Sequence, residues 1–185
     1  MDYFNHNTFA TYYKTAEFLF ENAKKSEEGQ FYNLISSISF CAFSIEAYIN
    51  HQGLIEDKQW KEWDKNEHPT LKSKIKKLAK IIGFNIDLND EVFSIITPLF
   101  KFRDIIVHGH TELVAKKVKN PQNNSNGALL NLSSNIENFC SIKNAENILN
   151  KTKKIILEIN KHSAFKIAES RLFNLGNGSF QVKRT

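Results

Sequence analysis

Residues 30–52, QFYNLISSISFCAFSIEAYINHQ, decide the fold. Leu34, Ile35, Ile38, Cys41, Ala42, Ile45, Tyr48 and Ile49 recur at three- and four-residue steps, the spacing of one helical face. The stripe is wide enough for a central helix, one covered by neighbours on more than one side. Upstream, Phe9, Tyr12, Tyr13, Ala16, Phe18, Leu19, Phe20 and Ala23 predict a helix over about 8–25, ended by the polar stretch 24–29. Gly53 is placed to stop the 30–52 helix. Beyond it, EDKQWKEWDKNEHP (56–69) reads as a short polar helix or a turn. Thr70 then caps a basic helix that runs through Ile82 to Gly83. Its inward set is Leu71, Ile75, Leu78, Ala79 and Ile82; Lys72, Ser73, Lys74, Lys76, Lys77 and Lys80 point outward.

A further helix is expected from Asp87 or Asn89, carrying Val92, Phe93, Ile96, Leu99, Phe100, Ile105 and Ile106. Pro98 inside it predicts a kink or a restart, and Gly109 supplies a left-handed stop after His108. The character changes over 111–136. There ELVAKKVK alternates weakly, NPQNNSNG reads as a turn or long loop, and ALLNL could pair back as a small hairpin. The last regular helix is expected over about 137–165, with Ile142, Ala145, Ile148, Leu149, Ile155, Ile156 and Ile159 inward. Together these elements predict an all-α bundle of four to five main helices, with a loop or small hairpin near 111–136. One domain would occupy residues 1–170, and 171–185 would form a poorly ordered tail.

Composition agrees with that class. A chain of 185 residues with 41% hydrophobic and 24% charged side chains is neither disordered nor fibrous. Only 3 Pro and 7 Gly argue against a many-turned β architecture. No apolar run approaches the roughly 18 residues of a transmembrane helix, so no membrane span is expected. The opening MDYFNHNTFATYYK lacks a basic stretch followed by an apolar one, so a cytoplasmic location is expected. Cys41 and Cys140 show no ligand spacing and read as inert core thiols. The six His contain no HExxH, and neither a metal nor a cofactor is expected.

The net charge of +5 is unevenly spread: −5 over 1–57, +5 over 58–82, −3 over 83–115 and +8 over 116–185. Two basic blocks suit a polyanionic partner, although a solvated Lys-rich face would give the same count. Of the 25 basic residues only three are Arg: Arg103, Arg171 and Arg184. Arg103 alone falls inside a long predicted helix, in FKFRDIIVHGHT (100–111). Five residues at about 100° each leave Arg103 and His108 about 140° apart on an ideal helix, so they converge only if His108 ends it. Asp104 and His108, four apart, share a face. A histidine moves protons near neutral pH and an Arg presents a planar fork to phosphate, which together suffice for metal-free RNA cleavage. The plain alternative is a chance pairing at a helix end.

RDIIVHG (103–109) resembles the RxxxxH motif of HEPN domains, an all-α ribonuclease superfamily of toxins, phage-defence proteins and RNA-processing factors. SIEAYINH (44–51) likewise resembles the second helix of many HEPN-like proteins, where a small-acidic-small-aromatic run faces the motif helix. Helix order and length extend the resemblance over roughly 8–165, but about fifteen residues carry it specifically. The resemblance implies a homodimer in which two RxxxxH motifs meet across a two-fold axis and form a basic cleft for single-stranded RNA. It implies Arg103 and His108 as the catalytic pair and an antitoxin or defence-system protein as a partner. Asp104 agrees with the polar residue that often follows the motif Arg. His110 stands where one toxin subfamily has a Tyr that is adenylylated, which puts that regulation in doubt.

Glu46, on the buried central helix, reads as an orienting group paired with Arg103 or as a side chain that simply faces solvent; the pairing is expected because a lone buried carboxylate is costly. His110 reads as a second proton carrier or an exposed loop residue, and Asn50 and His51 as RNA contacts or helix-end groups. Lys101, Lys72 and Lys76, with Lys74, Lys77 and Lys80, read as phosphate contacts or plain surface. Trp60, Trp63 and Tyr48 could stack on bases or fill the core. The expected function is a metal-independent endoribonuclease; the alternative is a non-catalytic HEPN-like module that binds nucleic acid, nucleotide or protein.

Overall fold

A computed structural model describes residues 7–109 and 134–173, and every described element is helical. The elements are α1 (Thr8–Lys25), α2 (Gln30–Glu56), α3 (Trp60–Glu67), α4 (Leu71–Ile82), a 3-10 turn (Phe93–Ile95), α5 (Ile96–His108), α6 (Asn135–Phe139), α7 (Ile142–His162) and α8 (Glu169–Leu172). Among the described residues five of the eight helices are long, in line with the expected four to five main ones. The suggested hairpin strands, His110 and residues 174–185 lie outside the described residues.

The central position of α2 is confirmed: it packs against α1, α3, α4, α5 and α7. Its buried set includes the expected Leu34, Ile38, Cys41, Ala42, Ile45, Tyr48 and Ile49. It also includes Ser37 and Ser44, small hydroxylic residues that let α1 come close. Ser37 Oγ donates to Ala16 O and Ser44 Oγ to Phe9 O, each at 2.8 Å, so both hydroxyls are satisfied in the α1–α2 seam. On α1 the buried residues are Phe9, Ala10, Tyr13, Ala16, Phe20 and Ala23. Phe18, expected inward, is 65% exposed because its position falls on the opposite face.

Gly53 does not end α2. The helix continues to Glu56, and Gly53 lies within it because the Trp60 ring sits against its backbone, where a Cβ would collide with ring atoms. Trp60 and Tyr48 are each 1% exposed, which leaves no face for a base and removes them as stacking platforms. Within the stretch 56–69, Trp60–Glu67 form α3, and three contacts tie α4 to α3 and to Asp57, the residue that follows α2. Lys74 Nζ meets Asp64 at 2.7 Å, Lys77 Nζ meets Asp57 at 3.0 Å, and Lys77 Nζ stands 4.1 Å from the Trp63 ring centroid. Lys74, expected outward, is therefore a buried, paired residue. Its long stem crosses back toward α2, where Nζ also donates to Asn50 Oδ1 at 3.1 Å.

Thr70 caps α4 as expected, its side chain accepting from Ser73 N, and Gly83 closes it at φ 64. The helix expected from 87 begins instead with the 3-10 turn, and α5 restarts at Ile96. Pro98 thus falls in the first turn of α5, where its missing N–H costs nothing. The expected 137–165 helix is split in two. Ser134 and Glu137 form a capping box that starts α6, and Ser141 accepts from Asn144 N to start α7. Leu172 and Phe173 are buried, and the Phe173 ring lies 4.6 Å from that of Tyr13. No helix among the described residues is long and apolar enough to cross a membrane.

Candidate active site

Arg103 sits on α5 where that helix passes α2. Its guanidinium is held on two sides: Nη2 donates to Glu46 Oε2 at 3.1 Å, and Nη1 lies 3.2 Å from Asp104 Oδ1. The expected Glu46–Arg103 pair is therefore present. Beneath it the Phe100 ring centroid is 5.2 Å from Arg103 Cζ, a cation–π contact that limits the plane's movement. Nε is buried without a partner, so the donors left for another anion are the remaining N–H groups of Nη1 and Nη2.

His108 is the last residue of α5, and Gly109 takes the left-handed conformation at φ 60, its N–H bonded to Ile105 O. Arg103, Asp104 and His108 all line one groove of about 740 Å³, together with Glu46, Lys72 and Lys101. Lys72 comes from the first turn of α4, so three helices supply the walls.

Not every expected residue is there. Lys76 lines a separate depression with Lys80, Gly83 and Phe84. Asn50 lines a neighbouring groove rather than this one, and its carbonyl oxygen is engaged by Lys74. Thr70 and Thr97, both on the groove wall, were not anticipated. Thr97 had a signal: Thr97, Lys101, Asp104 and His108 follow one another at four, three and four residues, a single polar stripe along α5. Thr70 had none beyond its capping role, since its nearness to Arg103 exists only in the packed molecule.

The cysteines offer no competing nucleophile. Burial pushes the thiols of Cys41 and Cys140 up to about 12, far above the range where a thiolate forms at neutral pH. Among the described residues no three His, Cys, Asp or Glu gather as metal ligands would. Compared with known protein families, curated proteins and solved structures, the chain matches none.

The arrangement has a definite chemical capacity. A fixed guanidinium and two lysines can neutralise a phosphodiester in the groove, and an imidazole at the same wall can accept or give a proton. Glu46 and Asp104 compete for the same guanidinium. Their effect is to fix its orientation while they lower the groove's net positive charge.

Proposed function

We propose that the chain is a metal-independent endoribonuclease of HEPN type that works as a homodimer, as a toxin or phage-defence effector with a cognate partner protein. The observation that carries this reading is the shared groove: Arg103 and His108 line it together, with Lys72 and Lys101 on its walls. In the reaction His108 removes the proton of a ribose 2′-OH as that oxygen attacks the adjacent phosphorus. The P–O5′ bond breaks, the leaving 5′ oxygen takes up a proton, and a 2′,3′-cyclic phosphate remains. Arg103 stabilises the charge that builds on the phosphoryl oxygens. One imidazole cannot be base and acid at both oxygens in the same instant. A second copy of His108 across a two-fold axis, as the resemblance implies, supplies the other proton.

The test uses the purified full chain and single-stranded RNA. His108→Ala and Arg103→Ala should each abolish cleavage, with elution volume and thermal melt unchanged. Cleavage retained by either variant overturns the proposal.

A second reading is favoured by one observation, the engagement of Arg103 by both Glu46 and Asp104. An Arg so occupied suits a non-catalytic module that binds nucleic acid, nucleotide or protein. RNA retained in a gel shift but never cut by the wild-type dimer would select that reading.

A further inference from the structure

A second groove, of about 560 Å³, opens on the other side of Glu46. Glu46 lines both grooves, so its carboxylate stands on the ridge between them. The second groove differs in chemistry from the first. Its aromatic wall is made by the half-buried Tyr12 and Phe43, whose ring centroids are 6.0 Å apart, with Phe40 5.8 Å from each. Phe43, Glu46, Ala47 and Asn50 follow one another along one face of α2. Ala47, with the smallest side chain of the four, leaves the space that the groove occupies.

Two polar groups face this space from α2, and their roles are determined by their neighbours. Lys74 Nζ can only donate, so the Asn50 atom 3.1 Å from it is the carbonyl oxygen, and Asn50 Nδ2 is the donor left over. Glu46 gives Oε2 to Arg103, which leaves Oε1 as an acceptor. The groove therefore offers flat aromatic faces with a carboxylate acceptor and an amide donor one helical turn apart. Single-stranded RNA is read in this way, by stacking on aromatic side chains and hydrogen bonds to the Watson–Crick edge. Guanine alone places two adjacent donors, N1–H and N2–H, beside one acceptor, O6. One donor fits the remaining Oε1, the other the second lone pair of Oε2 beside Arg103, and O6 fits the amide. His51 also lines the groove, its ring 5.3 Å from Phe9, and burial lowers its pKa.

From this geometry we infer that the Tyr12–Phe43–Asn50 groove is a guanine-binding subsite, coupled through Glu46 to the phosphate held at Arg103. The inference deepens the nuclease reading and rests on it for the neighbouring phosphate. It follows that RNA is cut beside guanosine, and that Glu46 joins base recognition to the orientation of Arg103.

The decisive measurement is binding of guanosine 5′-monophosphate to the full chain by saturation-transfer NMR and calorimetry, with the adenosine, cytidine and uridine monophosphates as competitors. The guanosine nucleotide should bind at least tenfold more tightly than the others. Tyr12→Phe should keep that affinity and Tyr12→Leu should lose at least tenfold. Asn50→Asp keeps the contact to Lys74 but replaces the donor by an acceptor, and should also lose at least tenfold; thermal melts confirm folding. Equal binding of all four nucleotides, no binding, or wild-type affinity in Asn50→Asp overturns the inference. Guanosine-selective binding by a chain that cuts no RNA supports the subsite while ending the nuclease reading. His108-dependent cleavage without guanosine preference or nucleotide binding ends the subsite alone.

Discussion

Glu46 is asked to do more than any other single residue, because it meets Arg103 on one groove and edges the second. Its side chain is 31% exposed and that of Arg103 is 22% exposed, so water screens the pair. A partly exposed pair of this sort contributes under about 1 kcal/mol to stability. Glu46→Gln should therefore change the unfolding free energy by less than about 1 kcal/mol, read by urea titration. Its cost should fall on kcat, by tenfold or more, since the guanidinium loses its charged tether while the fold stays. Wild-type kcat for Glu46→Gln in the RNA-cleavage assay would show that Arg103 needs no such positioning. His51, one turn beyond Ala47 on the same helix, gives a second residue-level expectation. Burial lowers its pKa below the ordinary 6.5, so as pH falls the unfolded chain takes up a proton before the folded one does. Stability linked to His51 is thus full above about pH 6.5 and declines as pH drops below it. Denaturation midpoints measured from pH 8 to pH 5 should fall less in His51→Phe than in the wild type; parallel curves would remove His51 as the cause.

At the scale of elements, Gly53 sets two rules against each other. Replacing a mid-helix Gly by Ala ordinarily stabilises by about 1 kcal/mol. Here a Cβ would collide with the Trp60 ring, and overpacking of a buried site costs about 1–3 kcal/mol. Gly53→Ala should therefore be destabilising by up to about 2 kcal/mol in chemical denaturation, and it should become stabilising when combined with Trp60→Leu. A stabilised single variant would mean that Trp60 does not hold the α2–α3 corner. The same residue marks where reading the sequence failed. A glycine after an amphipathic run has the pattern of a helix stop, and only the packed indole reveals the close approach that keeps it inside. Local signals were otherwise legible: Thr70 as a cap, Gly83 and Gly109 as left-handed stops, and Pro98 as a restart. The start of α6 was legible too, in the S-x-x-E run from Ser134 to Glu137. Lys74 was illegible, because its burial depends on Asp64 and Asn50, one from each of two other helices. Of the site, the Arg103–Glu46 pair followed from the cost of burying a lone carboxylate. The second groove did not, since Tyr12 has the helical spacing of a core residue and both Tyr12 and Phe43 are half-buried rather than exposed.

Over the whole molecule the net charge of +5 says little about where a polyanion lies, because basic and acidic blocks alternate along the chain. Folding sorts them. Lys74 and Lys77 are consumed by Asp64 and Asp57, and Lys76 is placed in its own depression, so the basic block over 58–82 contributes Lys72 alone to the Arg103 groove. Lys101 joins it from α5. Long-range charge raises the encounter rate, but the salt dependence of affinity counts the phosphates that are neutralised at the site. Each single-strand phosphate contact contributes about 0.7 to the slope of log K against log salt. Lys72→Ala and Lys101→Ala should each reduce that slope by about 0.7 for a short single-stranded RNA, measured by fluorescence anisotropy between 50 and 200 mM salt. Over that fourfold range one lost contact amounts to a difference of roughly threefold in how far affinity falls. Lys76→Ala, which removes the same charge from the same helix, should leave the slope unchanged. If all three variants shift it equally, RNA is held by the general positive field of α4 rather than in the groove, and the phosphate path past Arg103 must be abandoned.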